Sequence, residues 1–283
     1  MILQAPHGAV GYDESGAGVP LLWLHGYPLD RTLWAPQLAH TIPGIKQIAI
    51  DLPGFGESDR LTASRFNSVA GGPVAGMAVN SLDAWADSVA VTLTAMGIPR
   101  VILGGLSMGG YLAFAFWRRH AVRVRALILA DTRAGADSDE SKTKRNAAQS
   151  LARTEGAAAI AKALLPGMFG KTTRAAHPEL DIPIEEMMRR QHVESIVAAL
   201  DALRDRPDST PILETITVRT LVVCGEEDAL TPMPESELMQ RGIPGSRLAR
   251  IPGAGHLSNF EAPAVFNRLL SEFLTATIRD NPI

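Results

Sequence analysis

The sequence predicts an α/β protein built on a mostly parallel sheet, and three observations predict it. Short apolar or β-branched runs at 101–103, 126–130 and 220–224 have the unbroken hydrophobicity of strands buried on both faces. Stretches such as 81–96 and 111–117 read as helices between them, the second apolar on every side as a helix packed under a sheet would be. The strand-like runs end in turns rich in Gly, Pro or acidic residues, at the sheet edge where parallel α/β folds bind their ligands.

Size and composition set the outer limits. A chain of 283 residues, 46% hydrophobic, can bury one large core as a single domain or as a domain with an insertion. The formal net charge of −3 offers no basic stripe for a phosphate backbone, so no nucleic-acid partner is expected. Arg118-Arg119 and the arginines at 123 and 125 flank a helix end and read as solvated faces or dipole partners. The one cysteine, Cys224, excludes an intrachain disulfide and sits in an apolar run as a core residue. With no signal-like N-terminus and no apolar span of bilayer length, no membrane association is expected, and the cytoplasm is the default location.

In chain order, the turn-rich 1–18 suits short first strands at a sheet edge. Next comes Pro20-Leu21-Leu22-Trp23-Leu24, a strand ending in His25-Gly26-Tyr27-Pro28 at the ligand-binding edge. His25 in such a turn reads better as a backbone-bonded loop holder than as a base. The run 48–51 is the following strand, and 52–59, dense in Gly and Pro, is a structural loop. Residues 60–79 lack a helical period and form an excursion that serves equally as pocket wall or as surface loop. After the strand 126–131 the rhythm stops: 132–213 reads as helices at 142–154, 156–165 and 183–201, a helical lid inserted between two halves of a core, 1–131 and 214–283. Leu164, Leu165, Met168, Phe169, Met187 and Met188 are the candidates to line a substrate pocket under it, with packing of lid to body as the alternative for each. The rhythm returns at 220–228, then an edge strand at 246–251, a Gly-rich loop at 252–260 and a closing helix over 263–277.

The chemistry centres on Gly105-Leu106-Ser107-Met108-Gly109, where a strand runs into a helix through a serine flanked by glycines. A side chain at either glycine would collide with the sharp turn that lifts the serine hydroxyl above the sheet, which makes Ser107 a candidate nucleophile. A glycine-rich loop with a helix-capping serine is the plainer alternative, and only partners elsewhere decide. His256, on Pro252-Gly253-Ala254-Gly255-His256, is placed to reach over the sheet edge as general base. Asp228 ends the strand before it and completes the order Ser, Asp, His; Asp131 is the rival acid, and Glu226 and Glu227 are weaker ones. Backbone N–H groups of Tyr27 and Met108 are the candidate oxyanion donors, while the Tyr27 ring lines the pocket or its hydroxyl binds a substrate carbonyl.

From about residue 20 onward the chain resembles the α/β-hydrolases. The resemblance is carried by His25-Gly26, Asp51-Leu52-Pro53-Gly54-Phe55-Gly56-Glu57-Ser58-Asp59, Gly105-Leu106-Ser107-Met108-Gly109, Gly225-Glu226-Glu227-Asp228 and Gly255-His256 in that order. Gly-Leu-Ser-Met-Gly-Gly and His-Leu-Ser-Asn-Phe-Glu-Ala-Pro are most similar to the branch holding serine carboxylesterases and 3-oxoadipate enol-lactonases. The resemblance implies an eight-stranded sheet with a helical lid after the sixth strand, and hydrolysis of a small-molecule carboxylic ester or lactone without cofactor. Substrate preference is left open by the 60–79 excursion.

Haloalkane dehalogenases and epoxide hydrolases of this fold place an aspartate where this chain has Ser107, and the latter need lid tyrosines. Tyr12, Tyr27 and Tyr111 all lie outside the lid. The seven histidines show no metal-ligand spacing, so no metal is expected. The sequence therefore supports acyl transfer on Ser107, Asp228 and His256, with small to medium acyl groups. Carbon–carbon bond hydrolysis, cofactor-free perhydrolysis and a receptor-like binding protein remain alternatives.

Overall fold

The computed structural model describes residues 1–66 and 78–280; of the 60–79 excursion, residues 67–77 lie outside the described residues. Among the described residues eight strands form one sheet: β1 (Ile2–Ala5), β2 (Gly8–Gly16), β3 (Val19–Leu24), β4 (Ile45–Ile50), β5 (Val101–Leu106), β6 (Val124–Ala130), β7 (Arg219–Gly225) and β8 (Arg247–Ile251). Their spatial order is β1-β2-β4-β3-β5-β6-β7-β8. β1 and β2 run antiparallel at one edge, and every pairing from β4 to β8 is parallel. The chain steps from β3 outward to β4 and then back across to β5, so the strand order reverses between β3 and β5. Ligands of open α/β sheets bind outside the carboxyl ends of strands at such a point.

Burial explains the unbroken apolar runs. Along β3, Leu22 and Leu24 join the core on one face while Leu21 and Trp23 join the core on the other, and β5 divides Val101 and Leu103 from Ile102 and Leu106 in the same way. On the first face lie α1 (Leu82–Ala95) and α2 (Met108–His120), whose Trp85, Val89, Leu112 and Phe116 are fully covered. Ser81 caps α1 by accepting the Ala84 N–H at 3.2 Å. On the second face Trp23 stacks on Trp34 at 4.2 Å and meets Phe266 of the closing helix, here called α7 (Pro263–Asp280). The Trp23 indole N–H donates to Gln47, which keeps the one polar atom of this ring satisfied in the core.

Between β6 and β7 lies a helical insertion with α3 (Asp139–Leu164), α4 (Asp181–Arg189) and α5 (Val193–Arg204) as its long members. The remaining long helix, α6 (Met233–Gly242), follows β7. Two helices expected at 142–154 and 156–165 are the halves of α3, which bends where Gly156 takes φ 82°. The single helix expected over 183–201 is instead two, α4 and α5, because tertiary bonds claim the chain between them. Gln191 donates to Asp30 at 2.9 Å and back to α4 at Met187 O, and accepts from Gly56 N at 3.0 Å. Arg190 grips the same Asp30 through Nε at 2.7 Å.

Asp30 is a principal tie between insertion and core: it is 2% exposed and also caps the short helix Arg31–Trp34 by accepting the Thr32 N–H. Asp30→Ala leaves the buried Gln191 amide with Met187 O as its one remaining acceptor and Arg190 without its counter-ion. We expect a loss of about 2–3 kcal/mol in chemical unfolding, below the range for fully buried pairs because Arg190 is half exposed. A melting temperature equal to that of the parent protein would contradict this tie.

Candidate active site

Ser107 sits between the end of β5 and the start of α2 with φ 54° and ψ −114°, a left-handed conformation rare for a residue with a side chain. The surrounding backbone enforces it. A Cβ added to Gly105 would stand 2.2 Å from Gly109 O, and one added to Gly109 would stand 2.1 Å from Leu24 O. Strand, turn and helix thus close on one another at distances that only glycine permits. The turn is tied down by Ser107 N–H donating to Ala130 O at 3.0 Å, and by the Thr132 hydroxyl donating to Ser107 O at 2.8 Å.

The loop after β3 runs beside this turn: a Cβ on Gly26 would lie 3.5 Å from Ser107 Cβ. His25 does not face the site as a base. Its Nε2 accepts the Leu52 N–H at 2.9 Å and its Nδ1 donates to Gly26 O at 2.9 Å, which fixes a neutral ring and the loop shape together. Burial lowers its pKa, against smaller opposing contributions from Gly26, Asp51 and Asp30. Among the described residues the N–H groups of Tyr27 and Met108 have no acceptor, the second because it opens a helix.

His256 Nδ1 lies 2.9 Å from Asp228 Oδ2, and both side chains are buried. A carboxylate facing Nδ1 keeps the ring proton there and leaves Nε2 as the basic nitrogen. Asp228 is itself anchored: Oδ1 accepts from Leu230 N at 2.8 Å and Thr231 N at 3.0 Å, and Oδ2 accepts the Thr231 hydroxyl at 2.7 Å. Burial opposes its charge, but His256 and these donors outweigh burial and hold its pKa below the usual carboxylate value. For His256 burial again works against the charged form, yet Asp228 in particular, with Asp131 and Glu261, raises its pKa above the ordinary histidine value.

Asp131, the rival acid, is turned to other work. Its Oδ1 accepts Gly225 N at 2.8 Å, and its Oδ2 accepts the Ser258 hydroxyl and N–H. Complete burial, and then the charge of Asp228, push its pKa well up. Glu226 is exposed, and Glu227 accepts from Thr172 N and Oγ1 in the insertion. Asp131, Cys224 and Asp228 bring ligand-type atoms within 4.8 Å of one another. They do not suit a cation, because the carboxylate oxygens are committed to the donors just named and burial pushes the Cys224 thiol up to about 12.

Ser107, Met108, Tyr27, Thr231 and His256 line one cavity of about 390 Å³, within the range of small-molecule sites. Its apolar wall comes from α3 and α5, through Leu151, Ile160, Leu164, Leu200 and Leu203, and from Met168. Of the lid residues expected to line it, Leu164 and Met168 do so. Phe169, Met187 and Met188 are instead buried in the core on the Trp23 face, and Leu165 faces a separate surface groove. The apolar stripe of α4 is spent on attaching the insertion to the body, since that is where a matching apolar surface lies.

Sequence reading missed Tyr111, Thr231, Arg133, Lys144 and Arg145, which also line the cavity. Tyr111 stands four residues after Ser107, on the same side of α2, and that spacing was a usable signal. Thr231, three residues after Asp228, fits the turn chemistry of an aspartate accepting from following N–H groups. Nothing local distinguishes the arginines and Lys144 from solvated charges.

Among the described residues no helix is long and apolar enough to cross a membrane. The alpha/beta hydrolase fold family matches residues 19–263. The chain is 35% identical to a thermophilic esterase from Thermogutta terrifontis, with 98% of each chain covered and a TM-score of 0.86. It is 25% identical to an enol-lactonase from Burkholderia xenovorans LB400, covering 97% of this chain and 100% of that one, with a TM-score of 0.83. Over 281 residues it is 28% identical to a 2-hydroxymuconate semialdehyde hydrolase of Pseudomonas sp. (strain CF600), covering 92% and 88% of the two chains. With Ser107 on its glycine-enforced turn, Asp228 and His256 on the loops after β7 and β8, and a family match over most of its length, the chain belongs to the α/β-hydrolase fold family and is a hydrolase.

Proposed function

We propose that this hydrolase cleaves carboxylic esters or lactones through an acyl-enzyme on Ser107. The observation that carries the reading is the buried Asp228–His256 pair at 2.9 Å opening on the same cavity as Ser107. His256 Nε2 takes the Ser107 proton as Oγ attacks the carbonyl carbon, and the charge on the carbonyl oxygen is met by the Tyr27 and Met108 N–H groups. The imidazolium, stabilised by Asp228, returns the proton to the departing alkoxide. Water, deprotonated by the same nitrogen, then releases the acid and restores Ser107. Likeness to the Thermogutta esterase at 35% identity and to the enol-lactonase favours carboxylic carbonyl substrates.

The same groups suit a carbon–carbon hydrolase, a second reading favoured by the 28% identity to the 2-hydroxymuconate semialdehyde hydrolase. Turnover of p-nitrophenyl butyrate beside turnover of 2-hydroxymuconate semialdehyde separates the two. Multiple rapid turnovers of the ester alone support the first reading, and a large kcat/KM for the semialdehyde alone overturns it.

Ser107→Ala removes the nucleophile without burying a polar group, and ester kcat falls about a thousandfold or more with thermal melting retained. Full activity in a normally melting variant would end the proposal. Asp228→Asn takes away the group that orients His256 and should lower kcat about a thousandfold to ten-thousandfold. Asp131→Asn, which touches Gly225 and Ser258 rather than His256, should cost stability and much less turnover; the reverse ranking would transfer the acid role to Asp131.

The pH dependence follows from His256. Only the neutral ring accepts the serine proton, so kcat/KM rises with pH and reaches a plateau, with its midpoint above the ordinary histidine value because Asp228 favours the charged form. In Asp228→Asn the residual activity keeps its acid limb but with the midpoint moved down. A midpoint that stays in place in that variant, with chemistry rate-limiting, would detach Asp228 from the base.

A further inference from the structure

One end of the cavity is positively charged. Arg133, Lys144 and Arg145 line it, and among the described residues no aspartate or glutamate does. Behind them a single carboxylate, Asp137, serves three guanidinium groups: Arg133 at 2.7 Å, Arg206 at 2.8 Å and Arg145 at 3.1 Å. Burial opposes the charge on Asp137, yet Arg145 and Arg206 hold its pKa low, so it stays ionised and the cluster keeps an excess of two positive charges. Arg206 is 6% exposed and lies 4.2 Å over the Tyr111 ring, which seats the cluster against the cavity wall. Lys144 adds a fourth cation, screened by an exposed pair with Glu140.

Donors in this region are unspent. The Tyr27 hydroxyl belongs to a residue 8% exposed, lines the cavity and is buried without a partner, as are Nε of Arg133 and Nε of Arg206. Buried polar groups left in that state are costly unless a ligand completes them. Burial raises the Tyr27 pKa, so the phenol keeps its proton as a donor, and the Arg145 charge acts on it from nearby. Beyond its bond to Asp137, Arg145 has no further hydrogen bond among the described residues.

We propose that this end of the cavity is an anion subsite, and that the ester or lactone opened at Ser107 carries a carboxylate received by Arg145 and Arg133 with the Tyr27 hydroxyl. The inference rests on Ser107 as nucleophile. Planar guanidinium groups match the two oxygens of a carboxylate, and a neutral acyl chain of equal length leaves the same donors empty. An anionic substrate therefore gains over its neutral counterpart while the apolar wall from α3 and α5 holds the chain between the two ends.

The test compares kcat/KM of the intact enzyme for mono-p-nitrophenyl succinate, glutarate and adipate with p-nitrophenyl butyrate, valerate and hexanoate, and for 4-acetoxybenzoate with phenyl acetate. At low salt at least one anionic member should exceed its neutral partner about tenfold, the gain from one charge-assisted pair. That ratio should drop towards one in Arg145→Gln, fall by about threefold in Tyr27→Phe, and shrink as salt is raised to about 1 M. Calorimetry of glutarate against the uncharged butyramide on the resting enzyme reads the subsite without turnover, with about tenfold tighter binding expected for glutarate.

Neutral esters cleaved by Ser107 with no anionic preference, and glutarate no tighter than butyramide, would overturn the subsite and leave the esterase reading standing. Tight glutarate binding lost in Arg145→Gln, without cleavage of any ester, would uphold the subsite and overturn the esterase reading. Should Arg145→Gln fail to fold, Tyr27→Phe and the salt dependence of the wild-type ratio decide the matter.

Discussion

A close backbone approach at one strand-to-helix turn governs the arrangement of the site. β5, the turn at Ser107 and α2 meet with Gly105 against Gly109 and Gly109 against Leu24, and no side chain fits at either glycine. That closure holds Ser107 in a left-handed conformation its own chemistry disfavours, and the cost is met by the two fully buried sheet faces around it. Because the helix must begin immediately after the serine, Met108 has an N–H with no acceptor among the described residues beside the hydroxyl. One steric constraint therefore places the Ser107 hydroxyl and the Met108 N–H together, and the reversal of strand order between β3 and β5 brings the Tyr27 loop alongside.

The insertion is bonded into the loops that carry Asp228 and His256. His256 N–H donates to Met168 O at 3.1 Å, Thr172 binds Glu227 next to Asp228, and Thr173 donates to Gly253 O at 3.1 Å. At the opposite side Ser195 donates to Gly54 O at 2.6 Å and Arg190 binds Asp30. The position of His256 thus depends on the segment that shapes the cavity. The cavity wall from α3 and α5 and the Asp228–His256 pair on the sheet loops therefore share their supports.

Two buried aspartates close to one histidine could compete for the same role. They differ in what surrounds them: Asp228 has the imidazole and a set of donors that favour its charge, whereas Asp131 has complete burial and a neighbouring anion. Asp131 instead braces Gly225 and Ser258, which stand at the roots of the two loops bearing Asp228 and His256. A carboxyl in this position supports the pair by holding backbone, and its different environment keeps the two titrations apart.

Much of this was legible in the amino-acid sequence, wherever the constraint acts between neighbours in the chain. The buried strands, the turn at Gly105-Leu106-Ser107-Met108-Gly109, the insertion after β6, and His25 as a loop holder follow from local sterics and hydrophobic period, because these act over a few residues. What only the tertiary structure decided depends on partners far apart. Met187 and Met188 point their apolar stripe at the Trp23 core rather than at substrate, the helix expected over 183–201 breaks where Asp30 claims Arg190 and Gln191, and Arg133 and Arg145 converge with Arg206 on one carboxylate. A charged residue on a helix looks the same in sequence whether it faces water or a cavity, and only the folded chain sets which of the two it meets.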